Sequence, residues 1–290
     1  MILVTGAAGF VGRHVVAALR SDGRDVRAFV RRAAQLDAEV ALGDMTDAAS
    51  VRRAVEGCDT VVHLVAIRQG RREQFDRVMV DGTRTLLAAA RDAGVSRFVH
   101  MSALGTSERN KDLVPYYAAK WTEEQDVKAS GLPFVVFRPS FVFGRDGGIL
   151  PTFVKLANLA PVTPIVGSGR QRIQPIWVDD VAAYFAGAVA LDAALGGTFE
   201  LGGPDAVTWD ELWVRLKRAL GLRRPSVHVP VSLMRLNALV TERLPGNIPL
   251  TRDLLTMLER SGDNVVTHAS AVQTFGLPLV PLDEQLRQAA

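Results

Sequence analysis

Thr5-Gly6-Ala7-Ala8-Gly9-Phe10-Val11-Gly12 is the stretch on which the fold turns. It follows an apolar run, Ile2–Thr5, and leads into a helical pattern over Val11–Ser21. The three glycines are spaced G-x-x-G-x-x-G. Glycine lets the chain turn tightly from strand to helix, and lets backbone approach a ligand that a Cβ would hold off. The helix beginning there offers unpaired N–H groups and the positive end of its dipole. Strand, glycine turn and helix N-terminus in that order form a cradle for the phosphates of a dinucleotide. Gly6, Ala8, Gly9, Phe10, Val11 and Gly12 are the residues expected to line it.

Outward from this turn, short apolar runs alternate with helical stretches, the rhythm of βαβ units on a parallel sheet. Strands are expected at Val26–Val30, Val40–Leu42, Thr60–Val65, Arg97–Met101 and Phe134–Arg138. These runs are continuously apolar, as strands covered on both faces require. Helices are expected at Asp47–Glu56, Arg72–Ala93 and Tyr116–Ser130. After Pro139, glycine and proline crowd the chain. Helices are expected there at Leu150–Ala160, Asp179–Leu191 and Trp209–Leu220, and strands at Ile173–Trp177 and Thr198–Leu201. Asp179 and Thr208 stand where helix N-caps would. The expected fold is α/β: a Rossmann-type doubly wound parallel sheet with a small C-terminal α/β cap. Residues 1–140 would form the dinucleotide-binding domain, with further core elements from around 170–190. Residues 141–290 would form mainly the substrate cap.

The tip of the second strand sorts the nicotinamide cofactors. NAD sites place an acid about 20 residues beyond the glycines, to accept from the ribose hydroxyls. Here the strand ends in Arg31-Arg32, with Asp25 before it and Asp37 and Glu39 well after. A guanidinium can clamp a 2′-phosphate that a carboxylate would repel. The pattern favours NADP(H) over NAD(H). Gly43-Asp44-Met45 follows the third strand, where Asp44 could bond the adenine amino group or serve as a turn residue before the next helix.

Tyr116 and Lys120 are i and i+4 at the start of a helix, so they share a face. A phenol titrates near pH 10 and is a poor acid–base group at neutral pH. A cation within about 4–6 Å lowers that value. Lys120 is expected to supply the charge, and Tyr116 to pass a proton to or from a carbonyl or alcohol.

With these residues in hand, the chain resembles the short-chain dehydrogenase/reductase superfamily in its extended or atypical branch. The match runs in order through Thr5–Gly12, Gly43-Asp44, Val61–Ala66, Ser102, Tyr116 with Lys120, and Arg138-Pro139-Ser140. His100–Gly105, Arg138–Gly144, Gln174–Val181 and Leu201–Pro204 are similar to the NADPH-binding accessory subunit of respiratory complex I and its bacterial relatives. The resemblance implies a tightly held NADP(H), with contacts also from Met45, Leu64, Val65, Ala66, Met101, Pro139 and Val142. It implies an NAD(P)-dependent oxidoreductase with Tyr116, Lys120 and Ser102 as catalytic residues. The superfamily's carbonyl-polarising Ser or Thr usually sits one position later, where this chain has Ala103. Ser102 or Thr106 could serve instead, or the triad is incomplete. Two other readings stay open: a cofactor-holding scaffold with little turnover, and an NAD-dependent sugar-nucleotide epimerase or dehydratase, against which Arg31 counts.

Bulk properties exclude other classes. The 290 residues are 48% hydrophobic and 22% charged, ordinary for a globular chain. Net charge is +3, and acids and bases interleave without a basic stripe, which argues against nucleic acid. No apolar run approaches the roughly 18 residues of a membrane span, and the sequence reads as cytoplasmic. Cys58 is the sole cysteine and the five histidines lack metal-ligand spacing, so no metal site is expected. Leu233, Met234, Leu236, Leu239 and Val240 make an apolar face on the stretch Val231–Leu244, a candidate for peripheral membrane or quinone association. Assembly is expected to be monomeric or homodimeric, on an unknown small-molecule substrate.

Overall fold

A computed structural model describes residues 1–241, 251–260 and 262–290. The chain runs β1 (Ile2–Thr5), α1 (Phe10–Ser21), β2 (Val26–Val30), β3 (Glu39–Leu42), α2 (Ala48–Val55), β4 (Thr60–His63), α3 (Arg72–Phe75), α4 (Gly82–Asp92), β5 (Arg97–Met101), α5 (Pro115–Ala129) and β6 (Phe134–Pro139). Then come β7 (Val142–Phe143), α6 (Leu150–Leu159), β8 (Thr163–Val166), β9 (Arg172–Ile173), β10 (Ile176–Trp177), α7 (Val178–Ala188), β11 (Thr198–Leu201), β12 (Val207–Thr208), α8 (Trp209–Ala219) and β13 (Ser226–Val229). Helices α9 (Val231–Thr241), α10 (Arg252–Arg260), α11 (Ser270–Phe275) and α12 (Leu282–Ala289) finish it.

Two compact units divide these elements. The first takes Met1–Pro139, Val178–Leu201 and Thr267–Pro278; the second takes Ser140–Trp177, Gly202–Val266 and Leu279–Ala290. The first unit holds a seven-stranded sheet in the order β11-β6-β5-β4-β1-β2-β3, parallel throughout. Strand order reverses direction between β1 and β4, so the crevice outside their carboxyl ends is the switch point where α/β sheets take ligands. On one face Leu3, Val61 and Phe98 pack with Leu86, Ala90 and Val127 of α4 and α5. The opposite face includes the fully buried Val4, Val62 and Val99.

Several elements differ from expectation. Strand β4 stops at His63, and Leu64–Ala66 leave the sheet as loop, with Leu64 N–H donating to Thr5 O (3.2 Å). The helix expected over Arg72–Ala93 carries a π-helical segment, Asp76–Asp81, between α3 and α4. Such wide turns recur at functional sites. This one keeps Phe75, Met79 and Val80 packed together against Ala119. The single strand expected at Ile173–Trp177 is two short ones, broken at Gln174-Pro175, where proline has no N–H to donate. Thr208 caps α8 in a capping box with Glu211, as its position predicts. Asp179 is no N-cap: α7 begins at Val178, and the carboxylate meets His14 Nδ1 at 2.5 Å.

The second unit has its own core, with Phe143, Leu150, Ile165, Trp213, Leu216 and Leu282 at the centre. Three two-stranded ladders frame it: β7 with β10 and β8 with β13 are parallel, and β9 with β12 is antiparallel. Residues 242–244 of the expected amphipathic stretch lie outside the described residues, as does the Val240 side chain. On α9 the expected single face is divided: Leu233 and Leu236 are 57% and 59% exposed, while Met234 turns inward to line a cavity.

Candidate functional site

The glycine turn sits where β1 meets α1. Gly6 has φ +71°, and a Cβ there would lie 3.0 Å from the Leu64 carbonyl carbon. A Cβ on Gly12 would lie 2.2 Å from Gly6 O. The first helical turn therefore rests directly on the loop, closer than any other residue permits. No side chain caps α1 at Gly9. Its first-turn amides are the groups a pyrophosphate would meet, and these residues fit a dinucleotide.

At the other strand tips, Arg31 and Arg32 are exposed beyond β2. Asp44 accepts from Thr46 N (2.8 Å) and Thr46 Oγ1 (2.7 Å), while Asp47 caps α2 by accepting from Ala49 N (3.0 Å). The Thr46 bonds hold the Asp44 carboxyl below its ordinary range, and the charges of Arg31 and Arg77 act the same way. Arg77 thus joins Arg31 on this side of the sheet, a residue the linear sequence did not single out. Met45 is buried against Gly82. Val142 belongs to β7 in the second unit.

Across the middle of the sheet, register does the assembling. Thr5, His63 and His100 are in-register neighbours on β1, β4 and β5, so their side chains share a face. Thr5 Oγ1 lies 2.6 Å from His63 Nδ1, and His63 Nε2 lies 2.8 Å from Thr83 Oγ1. Thr83 Oγ1 donates to Glu123 Oε1 at 2.9 Å. Glu123 Oε2 pairs with Lys120 Nζ at 3.0 Å, and Lys120 donates to Met101 O at 2.8 Å. His100 stacks on His63 with ring centroids 5.5 Å apart, and its Nε2 is 3.9 Å from Glu123. Thr5, His63, Thr83, His100, Lys120 and Glu123 are all buried. Among the described residues, neither His100 nitrogen has a hydrogen-bond partner. Burial, reinforced by the Lys120 charge, lowers both imidazoles, His63 to about 3. Burial likewise raises the Glu123 carboxyl, with Lys120 and Thr83 opposing.

Tyr116 and Lys120 share one face of α5, as expected. The charge relation between them is not the expected one. Lys120 turns to Glu123 and the Met101 carbonyl, and its charge is matched there. Burial, and next the Glu123 charge, raise the Tyr116 phenol above its ordinary value, with Arg68 opposing. The lowering expected from Lys120 is therefore absent. Glu123 and Arg68 were missed in the sequence, where Glu123 reads as a routine i,i+3 partner on a polar helix face. The next residue, Glu124, is also buried and takes a two-point bond from Arg138 (2.8 and 2.6 Å), which fixes α5 to β6. The Ser102 hydroxyl is buried and donates to Thr106 Oγ1 at 3.4 Å.

The sequence profile of the NAD dependent epimerase/dehydratase family matches residues 2–202. A ceramide reductase of Caulobacter vibrioides is 32% identical over 79% of this chain and 74% of its own length. Subunit 9 of the NADH dehydrogenase [ubiquinone] 1 alpha subcomplex of Rattus norvegicus is 29% identical over 97% of this chain and 77% of its own. Among solved structures, a short-chain dehydrogenase/reductase superfamily protein of Agrobacterium tumefaciens with bound NAD superposes with a TM-score of 0.74. It is 25% identical and covers 100% of this chain and 95% of that one.

Proposed function

The chain belongs to the NAD-dependent epimerase/dehydratase family, within the extended short-chain dehydrogenases/reductases, and from that premise we propose that it is an NADP(H)-dependent reductase of a carbonyl substrate. The observation that carries this reading is the shared face of α5 on which Tyr116 stands one turn before a buried Lys120 that is tied to the end of β5. When bound, the nicotinamide supplies the hydride. Tyr116 gives its proton to the carbonyl oxygen, while Lys120 holds α5 to β5 and stands ready for the ribose. Ser102 is the oxygen partner proposed for the substrate carbonyl. Arg31, with Arg77, supports NADP(H) over NAD(H), because guanidinium groups match a 2′-phosphate.

The test has two parts. Mass spectrometry of the purified protein is expected to find NADP(H). Tyr116→Phe is expected to leave NADPH affinity within about twofold while lowering hydride transfer by about 10²–10⁴-fold. A mutant that reduces a carbonyl as fast as the parent would end the assignment.

A second reading is favoured by one observation. Ala103 stands at the usual position of the superfamily's polarising hydroxyl, and the Ser102 hydroxyl is engaged with Thr106. A cofactor-holding scaffold would retain NADPH that no carbonyl compound oxidises, and Tyr116→Phe would change nothing downstream.

A further inference from the structure

The second unit encloses a cavity of about 420 Å³. Its walls come from five helices and strands: Phe153 of α6, Ile165 of β8, Trp213 of α8, Met234 of α9 and Leu255 of α10, closed on one side by Phe141. The aromatic walls brace one another. Phe153 meets Trp209 edge-on at 5.8 Å and Trp213 at 5.1 Å, and Phe141 meets Trp209 edge-on at 5.6 Å. The volume falls in the range of small-molecule sites, about 300–1,000 Å³.

Apart from Thr152, the polar side chains of the lining are engaged by the protein. Glu259 takes Arg235 at 2.7 Å, Asp263 accepts from Arg172 N at 2.9 Å, Gln171 donates to Gly262 O, and Ser168 accepts from Arg170 N. Among the described residues, no Lys, Arg or His lines the space. A phosphate or a sugar would lose its water there and find no cationic side chain to replace it. An uncharged hydrocarbon loses nothing and gains the apolar walls.

We infer that this cavity binds the hydrocarbon portion of an uncharged, chain-like lipid ketone or alcohol, the substrate of the reductase. The inference deepens the proposed function and rests on it for the reaction, while the binding itself stands on the cavity alone. Met234 and Val231 on α9, with Leu255 on α10, set how long a chain is accommodated, and Phe153 and Trp213 form the rigid floor.

The experiment titrates the full-length protein, without cofactor and then with NADPH, with a homologous series of straight-chain 2-alkanones. Tryptophan emission is the readout, since Trp209 and Trp213 face the cavity. Binding is expected to be saturable and to tighten about fourfold per added methylene until the space is filled. Thr152→Trp, which narrows the space from a partly exposed wall position, and Met234→Asp, which places a charge in it, are each expected to weaken the best ketone at least tenfold. The NADPH-induced rise in Tm should be the same as in the parent. Affinity that ignores chain length, variants that both bind as the parent does, or displacement of the ketone by UDP-glucose overturns the inference. Chain-length-dependent ketone binding in a protein that gains no stability from NADPH would leave the cavity assigned and remove the reductase reading instead.

Discussion

At the carboxyl end of its sheet the first unit buries Lys120, Glu123, His63 and His100 in one connected row. The second unit surrounds its cavity with Phe153, Trp209, Trp213 and leucines, and ties each charged side chain of the lining to its own backbone or a neighbour. Both regions are interior, and both are built from short elements. They differ in what they ask of a ligand. A row of buried titratable groups can hold charge in place, but only while Lys120 and Glu123 keep one another. An aromatic box meets hydrocarbon and tolerates change in it. On the proposed reading the labour divides: recognition by charge falls to the sheet, recognition by size and greasiness to the other unit.

Breaking the row should show the largest difference. Glu123→Leu strands the Lys120 ammonium in the interior and is expected to cost about 3–5 kcal/mol in urea denaturation. Adding Lys120→Met to it should restore most of that stability, because an apolar pair of similar volume replaces the ion pair. If the single substitution leaves the urea midpoint unchanged, the row is not the charged structure described here.

Acid sharpens the contrast next. His63 stays neutral in the fold down to about 3, whereas unfolded histidine takes its proton near 6.5. The unfolded chain therefore binds more protons between those values, and stability falls as pH drops through that window. The limiting slope is about 1.4 kcal/mol per pH unit for each such histidine. His63→Gln should flatten the profile of denaturation midpoints below 6.5, and a curve as steep as the parent's would contradict the assignment. The aromatic cavity has no part in this effect.

The smallest change is at the surface. Arg31→Glu removes a guanidinium from the exposed end of the sheet and should weaken NADPH relative to NADH by about tenfold. Paired titrations of the two cofactors read it directly. An unaltered ratio would move 2′-phosphate recognition away from β2.

Legibility in the sequence followed how local each signal is. The first five strands and the glycine turn could be read because continuous apolar runs and glycine spacing act over a few residues. The Tyr116–Lys120 face was equally plain, because i and i+4 share a side of any helix. Glu123 was not legible: its burial depends on Thr83 and His63, which α4 and β4 bring from 40 and 60 positions away. Leu64–Ala66 reads as strand by composition, yet leaves the sheet at the switch point. On α9, amphipathicity located a helix but not which apolar side chains face in. Met234 and Leu236 are equally apolar in sequence and opposite in placement.

Residues 267–278 carry a consequence for how the molecule is made. Phe275 of α11 inserts among Phe137, Tyr184 and Phe199, with ring centroids 5.6, 5.3 and 5.4 Å away. That aromatic knot closes the outer edge of the seven-stranded layer, and its last member is translated some 140 positions after β6 emerges. Domains generally acquire their form amino end first as the ribosome works. Here the leading portion waits, its outermost strands unsealed, until Phe275 itself has been made.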